Sequence, residues 1–191
     1  MDKISFTSYI KPVTTSQFNA AARLITKKNF VDYPWTWKES KKAASAYTTD
    51  VLDCTMCGIS DGRDVFMMHI CPTSSENSNF LKIKNFLLKK INFENKDLSA
   101  LVLGGKIFTD DNRSINLFDN FTNFLQSKHI PTTILRGGKI YEPVNVLYSS
   151  RKDEWLVASQ YLDSFVNKEA SKTVLEKIFP TIHLAVDDVI V

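Results

Sequence analysis

Cysteine and histidine are scarce in this chain of 191 residues, which holds three of each. An odd number of cysteines, all within positions 54–71, excludes a disulfide framework and suits a reducing compartment. No apolar run approaches the roughly 18 residues of a membrane span. Met1-Asp2-Lys3-Ile4-Ser5-Phe6-Thr7 lacks the apolar stretch of a signal peptide, so none is expected. Charge of one sign is missing too. The net charge of +3 is too small to argue for nucleic acid, and Lys27-Lys28, Lys41-Lys42 and Lys89-Lys90 are scattered, as on solvated faces. Repeats, low-complexity tracts and linker-like segments are absent, so one domain over 1–191 is expected. What remains is an ordinary globular composition, 43% hydrophobic and 24% charged, at a length that buries one core.

Periodicity then assigns the elements. Ser16 as N-cap opens a helix over 16–28 with Phe18, Ala21, Ala22 and Ile25 on one stripe. Pro34 keeps Tyr33 out of the α region, so Tyr33-Pro34-Trp35-Thr36-Trp37 reads as a loop, its aromatics packing or forming a rim for a protein target. A short helix over 38–47 is expected next. The strands on either side of Asp61-Gly62 are apolar on both faces: Met56, Val65 and Met67 on one, Cys57, Ile59, Phe66 and Met68 on the other. Such a hairpin sits centrally in a covered sheet.

Helices over 78–91 (Phe80, Ile83, Leu87, Ile91) and 114–128 (Ile115, Phe118, Phe121, Leu125) flank a buried strand over 98–103 that ends at Gly104-Gly105. Pro131 opens a strand to Leu135, Arg136-Gly137-Gly138 turns it, and 140–147 returns antiparallel. A strand over 155–159, a helix over 168–179 and a last strand over 182–191 complete the pattern. Hairpins and helix blocks without βαβ alternation predict an α+β fold, a mostly antiparallel sheet or β-sandwich with helices packed outside.

The chemistry concentrates around the hairpin. Asp-Gly is the preferred pair for a two-residue type I′ loop, which would set Ser60 opposite Arg63 and Cys54 opposite His69. Facing Cβ atoms lie about 4.5–5.5 Å apart, so an imidazole would reach a thiol, the minimum equipment for cysteine nucleophilic catalysis. Two other uses of the same residues stay open. Cys54, Cys57, His69 and Cys71 make a zinc ligand set by type, although strand alternation turns Cys54 and Cys57 to opposite faces. Alternatively the cysteines are small core residues and His69 a hydrogen-bonded core histidine, in a catalytically inactive protein-interaction domain. Cys54-x-x-Cys57 as a redox pair lacks the βαβ setting of that motif. His129, at a helix end, and His183, in a terminal strand, read as structural.

These residues resemble the catalytic core of the cytotoxic-necrotizing-factor-type glutamine deamidases and of the chemoreceptor deamidase CheD. The toxin pattern is a Cys-Thr pair, a hairpin with Gly, and a His fifteen positions on, here Cys54-Thr55, Gly62 and His69. CheD adds a Thr six positions before its Cys, here Thr48, and a bacterial lethal factor that deamidates a translation-initiation helicase shares that spacing. The glycine-ended strand at Leu103-Gly104-Gly105 and the turn Arg136-Gly137-Gly138-Lys139-Ile140-Tyr141 also look like CheD. The likeness covers roughly 48–72 by motif, and 98–159 by element order alone.

The resemblance implies a CheD/CNF-like fold and a cysteine-dependent conversion of glutamine to glutamate on a protein target, without cofactor or metal. Cys54 would be the nucleophile, His69 the base, and Thr48 the group that orients His69, with Asp50 a rival orienter. The implied partners are protein substrates with a reactive glutamine, such as a host GTPase, a translation factor or a chemoreceptor. Neither nucleic acid nor membrane is among them. A bare catalytic domain of this kind suits a bacterial toxin or effector secreted into a host cell, or a cytoplasmic enzyme. The chain departs from the families at Leu52-Asp53, where they place small residues. An anionic neighbour raises a thiol's pKa unless it points away, and strand alternation would turn Asp53 to the other face.

Overall fold

A computed structural model describes residues 9–32, 40–72, 76–106, 112–138 and 142–183. The expected loop at Tyr33–Trp37 and most of the last expected strand, 184–191, lie outside them. Among the described residues the fold is α+β, with two mixed sheets and four α-helices.

One sheet runs in the order β1 (Tyr9–Pro12), β9 (Glu154–Ala158), β8 (Val144–Ser149), β3 (Ser45–Val51). The other runs β10 (Thr181–His183), β7 (Thr132–Arg136), β6 (Ser99–Gly104), β4 (Thr55–Ser60), β5 (Val65–Ile70), β2 (Ser40–Ala43). The pairs β1·β9 and β6·β7 are parallel and the remainder antiparallel. The inner faces share a core that joins Met56, Val65, Met67, Leu101 and Leu103 of the six-stranded sheet to Ala46, Val146, Tyr148, Trp155 and Val157 of the other.

The period-2 pattern puts Cys57, Ile59, Phe66 and Met68 on the opposite face of the hairpin. There they pack with Ile83 and Leu87 of α2 (Glu76–Lys90) and Phe118 and Phe121 of α3 (Arg113–Ser127). Phe18 and Ala22 of α1 (Thr15–Arg23) cover the outer face of the four-stranded sheet. Helices therefore flank a two-sheet sandwich, and β4, buried along its whole length, lies at its centre. Each fully buried Val, Ile or Met contributes about 1.5–3 kcal/mol, which makes this hairpin the anchor of both cores.

Several expectations shift. Residues 40–51 hold strands β2 and β3, not a helix: Ala46 and Thr48 are buried at strand spacing, and the β-branched and aromatic run Tyr47-Thr48-Thr49 favours a pleated surface. The first helix is capped by Thr14, whose hydroxyl accepts from Gln17 N while the Gln17 side chain accepts from Thr14 N; that reciprocal box outcompetes Ser16. Leu117, rather than Ile115, faces inward from α3. The chain over 132–149 forms no hairpin, because β7 stays in the six-stranded sheet beside β6 while β8 crosses to the other sheet. The helix expected over 168–179 contracts to α4 (Ser171–Glu176). His129 adopts φ 55° and closes the C-terminus of α3, a structural role.

Candidate active site

The hairpin loop decides the register. Only Gly62 takes positive φ there; Asp61 instead accepts hydrogen bonds from Arg63 N (3.0 Å) and Asp64 N (2.7 Å), which opens a four-residue loop in place of the two-residue turn. Ser60 therefore pairs with Val65, and Met56, not Cys54, pairs with His69. The slip is two residues, so every side chain keeps its face. Cys54 remains on the His69 side, displaced by one facing pair to a diagonal position, for which Cα atoms lie about 7–8 Å apart. Its sulfur now meets Cys71, with Sγ atoms 2.8 Å apart.

Cys54 belongs to the three-residue link, 52–54, that carries the chain from β3 in one sheet to β4 in the other. Because that link is a bend, alternation does not turn Asp53 away. Asp53 Oδ1 lies 3.6 Å from Cys54 Sγ, and its charge adds to the forces that raise the thiol. The close approach of this link to β6 requires Gly104: a Cβ there would sit 2.7 Å from the Cys54 carbonyl oxygen, and its φ is +143°.

Thr48 reaches His69 across the sandwich. Its Oγ1 is 2.6 Å from the Val31 carbonyl and 2.7 Å from His69 Nδ1, and both side chains are buried. A carbonyl only accepts, so the single hydroxyl proton of Thr48 goes to Val31 and Oγ1 accepts from Nδ1–H. Nε2 is thereby left as the lone-pair nitrogen of the ring. The Val31 carbonyl is itself held along β3, since Val31 N donates to Tyr47 O at 2.8 Å.

A bulge chooses between the two candidate orienters. Thr48 pairs with Val146 and Val51 with Val144, so one extra residue is accommodated between them. Asp50 absorbs it at φ 59° and turns to solvent, with its N–H on Asn145 Oδ1 at 3.0 Å, while Thr48 and Val51 both face inward. The side chain that touches His69 is thus Thr48.

Burial dominates the electrostatics. It lowers the His69 pKa to about 4, against the opposing pull of Asp32, Asp50 and Asp53, and the ring is neutral at pH 7. The Cys54 thiol is pushed up, first by donating to Cys71 and then by burial. Cys71 is pushed down by the same bond, with burial and Asp53 working against it. Loss of a proton from the pair would therefore leave the negative charge on half-buried Cys71 rather than on buried Cys54. Cys57 lies in the helix-side core, where burial raises it to about 12. The zinc set is split by this arrangement, and no three His, Cys, Asp or Glu residues among those described are placed to hold a metal ion.

Sequence reasoning missed Lys106. It is 1% exposed, and its Nζ donates to the Glu142 carbonyl. Burial lowers it to about 8, opposed by Glu142 and Asp53. The signal was available: a lone lysine directly after Gly104-Gly105, inside the apolar run Leu101-Val102-Leu103 to Ile107-Phe108. Cys71 enters the sequence reading only as a zinc ligand or a small core residue, because the Asp61-Gly62 register would set it opposite Leu52 and not opposite Cys54.

No helix among the described residues is long and apolar enough to cross a membrane. No protein-family model matches the chain, and no curated protein matches it either.

Proposed function

We propose that this chain is a cysteine-dependent protein glutamine deamidase with a CheD/CNF-like fold. The observation that carries the reading is the 2.7 Å contact between Thr48 Oγ1 and His69 Nδ1, which supports a neutral imidazole whose Nε2 carries the basic lone pair. A histidine held in one tautomer by a threonine, on the same face as Cys54 and one facing pair away from direct opposition, supports a thiol–imidazole pairing.

In this reading His69 Nε2 takes the Cys54 proton as sulfur attacks the carboxamide carbon of a protein glutamine. The tetrahedral adduct collapses as His69 protonates the departing ammonia, leaving a thioester. Water, activated by the same nitrogen, hydrolyses it to glutamate and the free thiol. The product carries one more negative charge than the substrate and one amide donor fewer, so a single event can disable or lock a switch. A bacterial toxin or effector acting on a host GTPase or translation factor, or a cytoplasmic enzyme acting on a chemoreceptor, fits this chemistry.

A second assignment within the same reaction is favoured by exposure. Cys71 is the more open sulfur and the better thiolate, which suits a nucleophile with Cys54 as its donor. One experiment tests both assignments. Purified chain is incubated with a chemoreceptor, a Rho-family GTPase and an initiation helicase, and each target is weighed for the gain of about 1 Da that amide-to-acid conversion brings. A gain that Cys54→Ser removes and Cys71→Ser spares supports the first assignment, and the reverse supports the second. A gain that survives both substitutions overturns thiol catalysis.

A further inference from the structure

We propose that Cys54 and Cys71 form a thiol–disulfide exchange site that accepts a low-molecular-weight disulfide and closes to an intramolecular bond. The argument begins with register. The β4·β5 ladder ends at Thr55 opposite Ile70, and one residue beyond it the link brings Cys54 to Cys71. The sulfurs are already 2.8 Å apart, so a bond of about 2.05 Å needs less than about 1 Å of movement. Cys57 is excluded, since it faces α2 and α3 on the far side of the sheet.

Access sets the order of events. Cys54 is 3% exposed whereas Cys71 is half-buried, so a small disulfide meets Cys71 first. The hydrogen bond from Cys54 also favours thiolate at Cys71, the form that attacks. In the first step Cys71 sulfur bonds to one sulfur of the small disulfide, and the other leaves as a thiolate. Cys54, freed of the anion that held its proton, then ionises and attacks the Cys71 sulfur, and the second small thiol departs. Overall the two protein thiols lose two protons and two electrons, and one small disulfide takes them up to become two small thiols. If Cys54 is the catalytic nucleophile, as proposed above, the bond masks it; the exchange itself does not depend on that activity.

The test needs no substrate. The fully reduced chain is titrated with oxidised glutathione, quenched in acid, alkylated and weighed intact, and its peptides are mapped. The expected product has lost two hydrogens, takes one alkyl group at Cys57, and yields a Cys54–Cys71 linked peptide. Cys54→Ser should stop at a stable glutathione adduct on Cys71, while Cys71→Ser should react at least tenfold more slowly. Wild-type chain in which Cys54 and Cys71 both stay alkylable in excess oxidised glutathione overturns the proposal, as does a bond that includes Cys57. Deamidase activity without the disulfide would sink this inference alone, and a disulfide without activity would sink only the functional reading.

Discussion

The two ends of the β4·β5 hairpin bury polar groups in opposite ways. At the loop end a chain of three hydrogen bonds runs to a carboxylate. Gly62 N donates to Ser60 Oγ at 3.0 Å, Ser60 to Tyr148 Oη at 2.5 Å, and Tyr148 to Asp153 Oδ1 at 2.9 Å, stitching the two sheets together. At the open end a neutral histidine, two hydrogen-bonded cysteines, an aspartate and a lysine crowd the link between the sheets, and burial displaces several pKa values. The first arrangement is what a fold needs in order to bury hydroxyls cheaply. The second holds groups away from their preferred protonation states, which structures maintain where chemistry is done. Both belong to one hairpin, so substitutions can separate the two roles without changing the scaffold.

The largest difference should come from the sulfurs. Cys54→Ser is expected to reduce deamidation by on the order of ten-thousand-fold or more, as loss of a nucleophile does. Cys57→Ser, on the helix side, should leave turnover within about threefold of wild type and act only through core packing. Single-turnover mass measurements on one target decide between them. Equal losses would mean that the reaction does not discriminate between the faces of β4.

Acidity should separate the two ends next. His69 has a folded pKa near 4 against 6.5 when unfolded, so the unfolded chain binds the extra proton between those values. Stability therefore holds above about pH 6.5 and falls as pH drops toward 4, with His69 responsible for about 3 kcal/mol. His69→Gln should flatten that part of the slope in urea unfolding from pH 7 to 4. Tyr148→Phe should leave the slope unchanged and lower stability at every pH by about 1–3 kcal/mol, since it strands the Ser60 hydroxyl. A flattened slope for Tyr148→Phe would remove the distinction.

This contrast also marks where sequence reasoning reaches and where it stops. Alternation assigned Met56, Val65 and Met67 to one face and Cys57, Ile59, Phe66 and Met68 to the other, and burial agrees because a period of two survives a two-residue slip. The partner of Cys54 did not survive it. The loop was set by Asp61 bonding to the backbone, and that choice moved Cys71 opposite Cys54. The Thr48–His69 contact was legible through spacing and resemblance, whereas the bulge that turns Asp50 outward leaves no mark in the residue order. Lys106 is marked in the residue order as a lone lysine after Gly104-Gly105, but its place beside Asp53 comes from β6 packing against the link at Cys54, a long-range event.

The smallest predicted effect tests the bond that joins the sheets at the open end. Thr48→Ala removes the acceptor for His69 Nδ1–H and the donor to Val31 O together, and His69 is freed to rotate and to change tautomer. Loss of a positioning bond of about 1–3 kcal/mol corresponds to a slowdown of roughly ten- to a hundred-fold, far short of removing the base itself. Thr48→Ser restores an oxygen at the same position and should recover most of the rate. Nitrogen chemical shifts of the imidazole give a readout that packing alone would not move: the Nδ1–H form should dominate in wild type and Thr48→Ser, and become mixed in Thr48→Ala. Asp50→Asn should change neither shift nor rate by more than about twofold, because its side chain faces solvent beyond the bulge. If Asp50→Asn mixes the tautomers while Thr48→Ala leaves them alone, the orienting role moves to the aspartate, and the bond across the sandwich becomes a structural tie like the one at the loop end.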